Sequence, residues 1–241
     1  MKRSILIITI LAVTIMSDGC DLIGKRGENR GVTIQKRYSQ TGKLVSEISV
    51  KNGVKHGPTK NYYEDGKLHS VVNYKEGKQH GESVWYYENG KPYQVTQYIN
   101  GERHGIQKKY YQSGNLMAEI PYRNGEQQPG MKEYTDKGKL ITNYPEIVFE
   151  KPARTASPNR FVMKIHLSNN SEEVLFQQRI ISSTGDTMMA SVPTLNGNGE
   201  ITFFVEKGKI IEADIDIVAK TKTRLRNNYV TEGTYHVEII N

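Results

Sequence analysis

Residues 51–74 read KNGVKHGPTKNYYEDGKLHSVVNY, and this stretch decides the fold. Asn52-Gly53 opens it as a tight reversal, an extended run follows to Tyr63, Glu64-Asp65-Gly66-Lys67 turns the chain back, and a second run passes through Leu68 to Tyr74. Gly, Asn and Asp enter the positive-φ backbone region cheaply, so the reversals fall where the sequence can make them. The unit reads as a β-hairpin. In its second run Leu68, Val72 and Tyr74 alternate with His69, Val71 and Asn73, which makes one face more apolar than the other.

The same unit recurs on either side. Glycines step by 24 residues through Gly42, Gly66, Gly90, Gly114 and Gly138, and again through Gly53, Gly77, Gly101 and Gly125. Tyr38, Tyr62, Tyr86, Tyr110 and Tyr134 keep the same step, as do His56, His80 and His104. Self-similarity at a fixed period marks a repeat architecture. Side-by-side hairpins, with strands about 4.8 Å apart, predict a long, thin, twisted sheet spanning roughly 40–50 Å over residues 37–145. The adjacent tyrosines at 62–63, 86–87 and 110–111 are expected to place one ring on each face. A candidate binding surface follows: Tyr62, Tyr63, Trp85, Tyr86, Tyr87, Tyr110 and Tyr111.

These columns resemble the MORN repeat, specifically the bacterial MORN-variant family. Gly77, His80-Gly81, Tyr86-Tyr87 and Gly90 carry the resemblance in one unit, and Gly101, His104-Gly105, Tyr110-Tyr111 and Gly114-Asn115-Leu116 in the next. It covers roughly Arg37 to Pro145. The last unit departs, with Gln128-Pro129 in place of His-Gly and Thr135 in place of the second Tyr, as a terminal capping repeat would. The resemblance implies an elongated scaffold, association with membranes or protein partners and, for some bacterial members, an antitoxin or immunity role.

Working outward to the N-terminus, Lys2-Arg3 precedes an apolar stretch from Ile5 to Met16, and Ser17-Asp18-Gly19-Cys20 follows. The pattern is that of a secretion signal over residues 1–20. The stretch is shorter than the roughly 20 residues a transmembrane helix needs. Cys20 is the only cysteine in the chain and stands where a lipoprotein signal peptidase would leave an acylated N-terminus, so it is the expected lipid-attachment residue. Ser17 occupies the position where such signals usually carry Leu, and the alternative is an ordinary cleaved signal with an incidental thiol. Residues 21–36 read as a flexible leader.

Past Pro145 the register ends. Glu150-Lys151-Pro152 through Ser157-Pro158 reads as a linker or edge segment, and alternating runs then appear at 161–167, 174–180, 201–205, 211–217 and 235–239. Turn signals separate them, among them Asn196-Gly197-Asn198-Gly199 and Glu232-Gly233. Residues 146–241 are therefore expected to form a small β-sandwich of the immunoglobulin or fibronectin type, in a mostly β protein.

Catalytic and metal chemistry find little support. No G-x-S-x-G, G-x-x-x-x-G-K-[ST] or H-E-x-x-H motif occurs. His56, His80 and His104 are whole hairpins apart, whereas zinc ligands converge to about 2 Å from one ion, so each is expected to pack or hydrogen-bond in a turn. Glu212, Asp214 and Asp216 alternate with isoleucine and read as the solvated face of one strand rather than a calcium site. The net charge of +7, from 33 Lys+Arg against 26 Asp+Glu, is modest and spread along the chain. Export points away from nucleic acid and toward a membrane held through the lipid, with a protein or an envelope polymer as partner. No cofactor is expected. The leading functional expectation is a non-catalytic scaffold or binding lipoprotein of the cell envelope. Its alternatives are an immunity or antitoxin protein, suggested by the resemblance alone, and an envelope-polymer hydrolase with its cleft between the two domains.

Overall fold

A computed structural model describes residues 31–241, all of them strand, turn or irregular. The proposed signal, Cys20 and most of the leader lie outside the described residues. Eleven strands build one antiparallel sheet: β1 (Thr33–Tyr38), β2 (Leu44–Lys51), β3 (Val54–Tyr62), β4 (Leu68–Lys75), β5 (Lys78–Tyr86), β6 (Pro92–Ile99), β7 (Glu102–Tyr110), β8 (Leu116–Arg123), β9 (Glu126–Gln127), β10 (Lys132–Tyr134) and β11 (Leu140–Ile141). They follow one another in chain order, except that β9 and β10 both pair with β8. The sheet begins at Thr33, inside the segment expected to be leader, because β1 pairs residue by residue with β2 from Thr33↔Val50 onward.

Two kinds of reversal alternate along the sheet. Between units the turns are of two residues, and Asn52 and Gly53 both take positive φ, at 53° and 80°. This is the mirror-image turn whose twist matches that of paired strands. Within units the loop is longer: Gly66 N–H donates to Tyr63 O and Tyr63 N–H to Lys67 O, with Gly66 alone at positive φ and Asp65 outside that region. The Asp65 carboxylate instead accepts the Lys67 amide, tightening the loop as an Asx turn.

The His-Gly pairs were expected in turns, and they are not there. Asn73 alone faces His80, Gly81 and Glu82, so the β4–β5 register slips within the strands, and Gly81 takes a φ of 83°. Such a β-bulge bends a strand and raises its twist, and only glycine fits that backbone cheaply. Gly57 and Gly105 repeat the arrangement one unit away on either side.

Nine further strands form two sheets around one core: β12 (Ile147–Phe149), β13 (Ala153–Arg154), β14 (Arg160–Leu167), β15 (Val174–Ile181), β16 (Thr187–Ser191), β17 (Thr194–Leu195), β18 (Asn198–Phe204), β19 (Ile210–Lys222) and β20 (Asn228–Ile240). One sheet runs β12-β14-β18-β17, with β13 also on β14, and the other runs β16-β15-β19-β20. Lettered in chain order this is A-B-E-D against C′-C-F-G, the strand order of an immunoglobulin-type sandwich. Met163, Ile165 and Leu167 from one sheet meet Phe176, Ile217 and Val237 from the other, all almost completely buried. Glu232-Gly233 is not a turn. It lies inside β20, where a Cβ on Gly233 would come within 3.0 Å of the Phe149 ring, so the glycine makes room for an aromatic. The reversal comes earlier, at 223–227, with Arg226 at a φ of 62°.

Candidate functional site

Because pairing places registered residues on the same face, the sheet's two surfaces can be read across. Ser46, Asn61, Ser70, Trp85, Gln94, Lys109, Ala118 and Glu133 form one continuous cross-strand row on what is called here the front. The back carries Glu47, Lys60, Val71, Val84, Val95, Lys108, Glu119 and Lys132 in the same way.

The seven aromatic residues expected to form a binding surface do not share one. Trp85 is on the front. Tyr62 is on the back, where its hydroxyl donates to Glu47 at 2.8 Å and holds that carboxyl below its ordinary range. Tyr86 and Tyr110 are also strand residues of the back, each in register with the first residue of the following strand, Pro92 and Leu116. Tyr63, Tyr87 and Tyr111 stand at the rim, and their hydroxyls donate to the backbone carbonyls of Tyr86, Tyr110 and Tyr134 at 2.5, 2.7 and 2.8 Å. Each second tyrosine therefore ties its unit to the next one. The pair does not straddle the sheet because the chain already leaves the strand after Tyr62. At the opposite rim Gly77, Gly101 and Gly125 N–H donate to Lys55, Gln79 and Arg103 carbonyls of the unit before.

At its far end the front receives the tip of the β19–β20 hairpin. Glu133, only 1% exposed, accepts hydrogen bonds from Thr223 Oγ1 at 2.7 Å and Asn227 Nδ2 at 2.6 Å. Lys109 Nζ donates to Asn227 Oδ1 at 2.7 Å, so one amide bridges a cation and a carboxylate and its orientation is fixed by both. Burial holds the Lys109 ammonium below its ordinary pKa, opposed by the nearby Glu133 charge. Beside this polar clasp Tyr229 stacks on Tyr144, with centroids 4.8 Å apart and planes 15° apart, against Ala118, Ile120, Tyr122 and Met131. Burial pushes the Tyr144 phenol up to about 12, with Glu133 adding to it.

Two hollows flank the clasp. A recess of about 270 Å³ on the front is lined by Gln94, Tyr98, Arg103, Gln107, Lys109 and Tyr122 among others, and no carboxylate borders it. It adjoins a cleft of about 790 Å³ between the repeat sheet and the outer face of the C′-C-F-G sheet, sharing Arg103, Gln127 and Asn228 with it. Arg103 lies over the Tyr122 ring, its Cζ 4.1 Å from the centroid, and donates to Gly125 O. In the cleft Arg179 is paired with Glu232 at 2.5 Å. The carboxylates a hydrolase would need are Glu126, Glu173 and Glu232, and the last is held by that pair.

Composition and period reveal none of this docking, yet a signal existed in the columns. Where earlier units carry Gln94, Thr96, Gln107 and Lys109, the last carries Ala118, Ile120, Met131 and Glu133, so the front turns apolar with one acid at the point where the sandwich binds. His56, His80 and His104 sit on alternate strands, roughly 10 Å apart by strand spacing, and among the described residues no group of three or more His, Cys, Asp or Glu stands together to hold a metal. Asp214 and Glu212 face solvent on β19, as expected, with His236 Nδ1 2.8 Å from the Asp214 carboxylate, whereas Asp216 is half-buried and accepts from Thr234 Oγ1.

A search of curated proteins finds no match to the chain. The family described as MORN repeat variant matches it four times, over residues 33–52, 55–76, 79–100 and 103–124. Each match is one hairpin, β1–β2, β3–β4, β5–β6 and β7–β8, while β9 to β11 extend the same sheet beyond the matched residues. Residues 33–124 thus carry four consecutive matches to the MORN repeat variant.

Proposed function

We propose that this is a non-catalytic binding scaffold of the cell envelope, tethered through a lipid on Cys20 and engaging a protein partner through the front of its repeat sheet. MORN-variant repeats serve as binding or scaffold modules, which supports the coarse reading. The observation that carries the finer one is the use already made of this face: its last two units clasp a β-hairpin through Lys109, Glu133 and Gln127, while equivalent positions in earlier units, Asn61, Trp85 and Gln79, hold no such hairpin. A second hairpin or strand could be held there by the same kinds of contact.

The test is fractionation of cells producing the full chain, beside Cys20→Ala and Trp85→Ala. Cys20→Ala is expected to leave the membrane fraction, and Trp85→Ala to stay there but lose co-purifying protein. A Cys20→Ala chain still held at the membrane would remove the tether. Unchanged co-purification with Trp85→Ala, Asn61→Ala and Gln79→Ala would remove the front face.

A further inference from the structure

The recess beside the clasp is unbalanced in charge. Arg103 and Lys109 border it, its other side chains are amides, phenols and Ile120, and Glu133 is linked to Lys109 across Asn227. Lys109 Nζ has three donors, and one is taken by Asn227. The Arg103 guanidinium, lying over the Tyr122 ring, makes one hydrogen bond, to Gly125 O, and no ion pair among the described residues. Both cations line one recess that no carboxylate borders, so an oxyanion entering it would gain charge-assisted hydrogen bonds.

The adjoining cleft says what carries the anion. Its remaining charges nearly cancel, with Arg179 paired to Glu232 and Lys220 and Lys222 offset by Glu126 and Glu173. A membrane surface or polyanion would call for a basic wall, which the cleft does not have. Its floor is the outer face of a β-sheet, where Leu175, Val218 and Val230 alternate with polar neighbours, and Leu175 and Met189 are 46% and 42% exposed. An extended peptide can lay apolar side chains on such exposed apolar positions while its other side chains meet the polar ones. Gln127, which lines both hollows, already donates to a main-chain carbonyl, that of Asn228. The volume, about 790 Å³, is within the range of ligand-binding clefts.

We propose that the cleft between the repeat sheet and the sandwich binds an extended peptide segment, with one carboxylate of that segment seated in the recess lined by Arg103 and Lys109 and apolar side chains laid on Leu175 and Met189. The proposal rests on the reading of this protein as a binding module, and it is independent of the lipid tether.

The purified full chain is offered a pool of random octapeptides, and the bound fraction is sequenced. Peptides bearing Asp, Glu or a free C-terminal carboxylate are expected to be enriched. Individually synthesised, they are expected to bind about tenfold more weakly to Arg103→Gln and to Lys109→Met, and likewise when their carboxylate is amidated. Lys109→Met keeps the side-chain length but also removes the bond to Asn227 Oδ1, so amidation of the peptide on the unaltered chain is the arm that reports on charge alone. Enrichment without regard to carboxylates, or equal binding by both folded variants, overturns the proposal. So does an absence of peptide enrichment, with or without binding of inorganic phosphate or phosphatidylglycerol vesicles. Failure here with partner capture still dependent on Trp85 would sink the cleft alone, whereas loss of both would sink the binding-module reading.

Discussion

The repeat sheet and the sandwich are both antiparallel β, yet they are held together by different means. In the sandwich, Phe161, Met163, Ile165, Leu167, Phe176 and Ile217 fill one interior between two sheets. The front of the repeat sheet buries Ile48, Val50 and Val72, but beside them Ser46, Thr59, Ser70, Ser83, Thr96 and Gln107, small or polar residues on a single layer. Burying an apolar side chain contributes roughly 1.5–3 kcal/mol, whereas a hydrogen bond contributes about 1 kcal/mol net. The array therefore depends on many modest bonds repeated in register, and the sandwich on a few large side chains. Adding or removing a unit should be tolerated in the first, and removing one core side chain should be serious in the second.

The sharpest way to break that contrast is to delete residues from the array. Removal of residues 75–98, a whole period, is expected to leave a folded, shorter sheet, whereas removal of residues 75–97 turns every later side chain to the opposite face and is expected to abolish folding of the array beyond that point. Circular dichroism and limited proteolysis of the two deletions decide it, and equal behaviour would refute the additive picture. Next in size, Phe176→Ala in the sandwich should cost about 3–5 kcal/mol in urea unfolding. A loss under 1 kcal/mol would mean that the sandwich does not depend on its core. Smaller still, Tyr87→Phe removes one inter-unit bond to Tyr110 O and should cost about 0.5–1.5 kcal/mol, with the same result expected for Tyr63→Phe because the positions are equivalent. Unequal costs at the two positions would show that neighbouring units are not interchangeable.

The smallest effect concerns a surface ion pair on the sandwich. Asp214 beside His236 raises the imidazole pKa, with Glu212 and Glu238 adding to it. The protonated imidazole is favoured in the folded chain, so its contribution to stability is complete below the ordinary histidine value near 6.5 and fades as pH rises through the raised folded value. An NMR titration should place His236 above 6.5 and Asp214→Asn should lower it; an unshifted midpoint in the folded chain would contradict the pairing.

The parts of this fold that announce themselves in sequence are those whose backbone needs a particular residue. Asn52-Gly53 and Gly66 can be read because few residues enter positive φ, and a 24-residue step makes each reading support the others. Alternation located β14 and β15 within a residue or so for the same kind of reason. Gly233 misled, because a glycine that yields space to Phe149 looks like a glycine that turns the chain, and the true reversal at 223–227 is built around Arg226 with no glycine at all. The tyrosine pairs misled in another way: alternation assigns faces only while a strand lasts, and Tyr63 is already past the end of β3. Docking of the hairpin on Glu133 joins residues about ninety positions apart, and no local rule connects them.

The rim bonds also set how the sheet would respond to load. Tyrosine hydroxyls point forward along one border and glycine amides point backward along the other, so the boundaries from the second matched unit onward are bolted at both margins. Pulled lengthwise, such a ribbon should give way in discrete steps, each paying out one period of chain, or roughly 80 Å when extended. The length such a ribbon could yield under load would be fixed by how many units it contains.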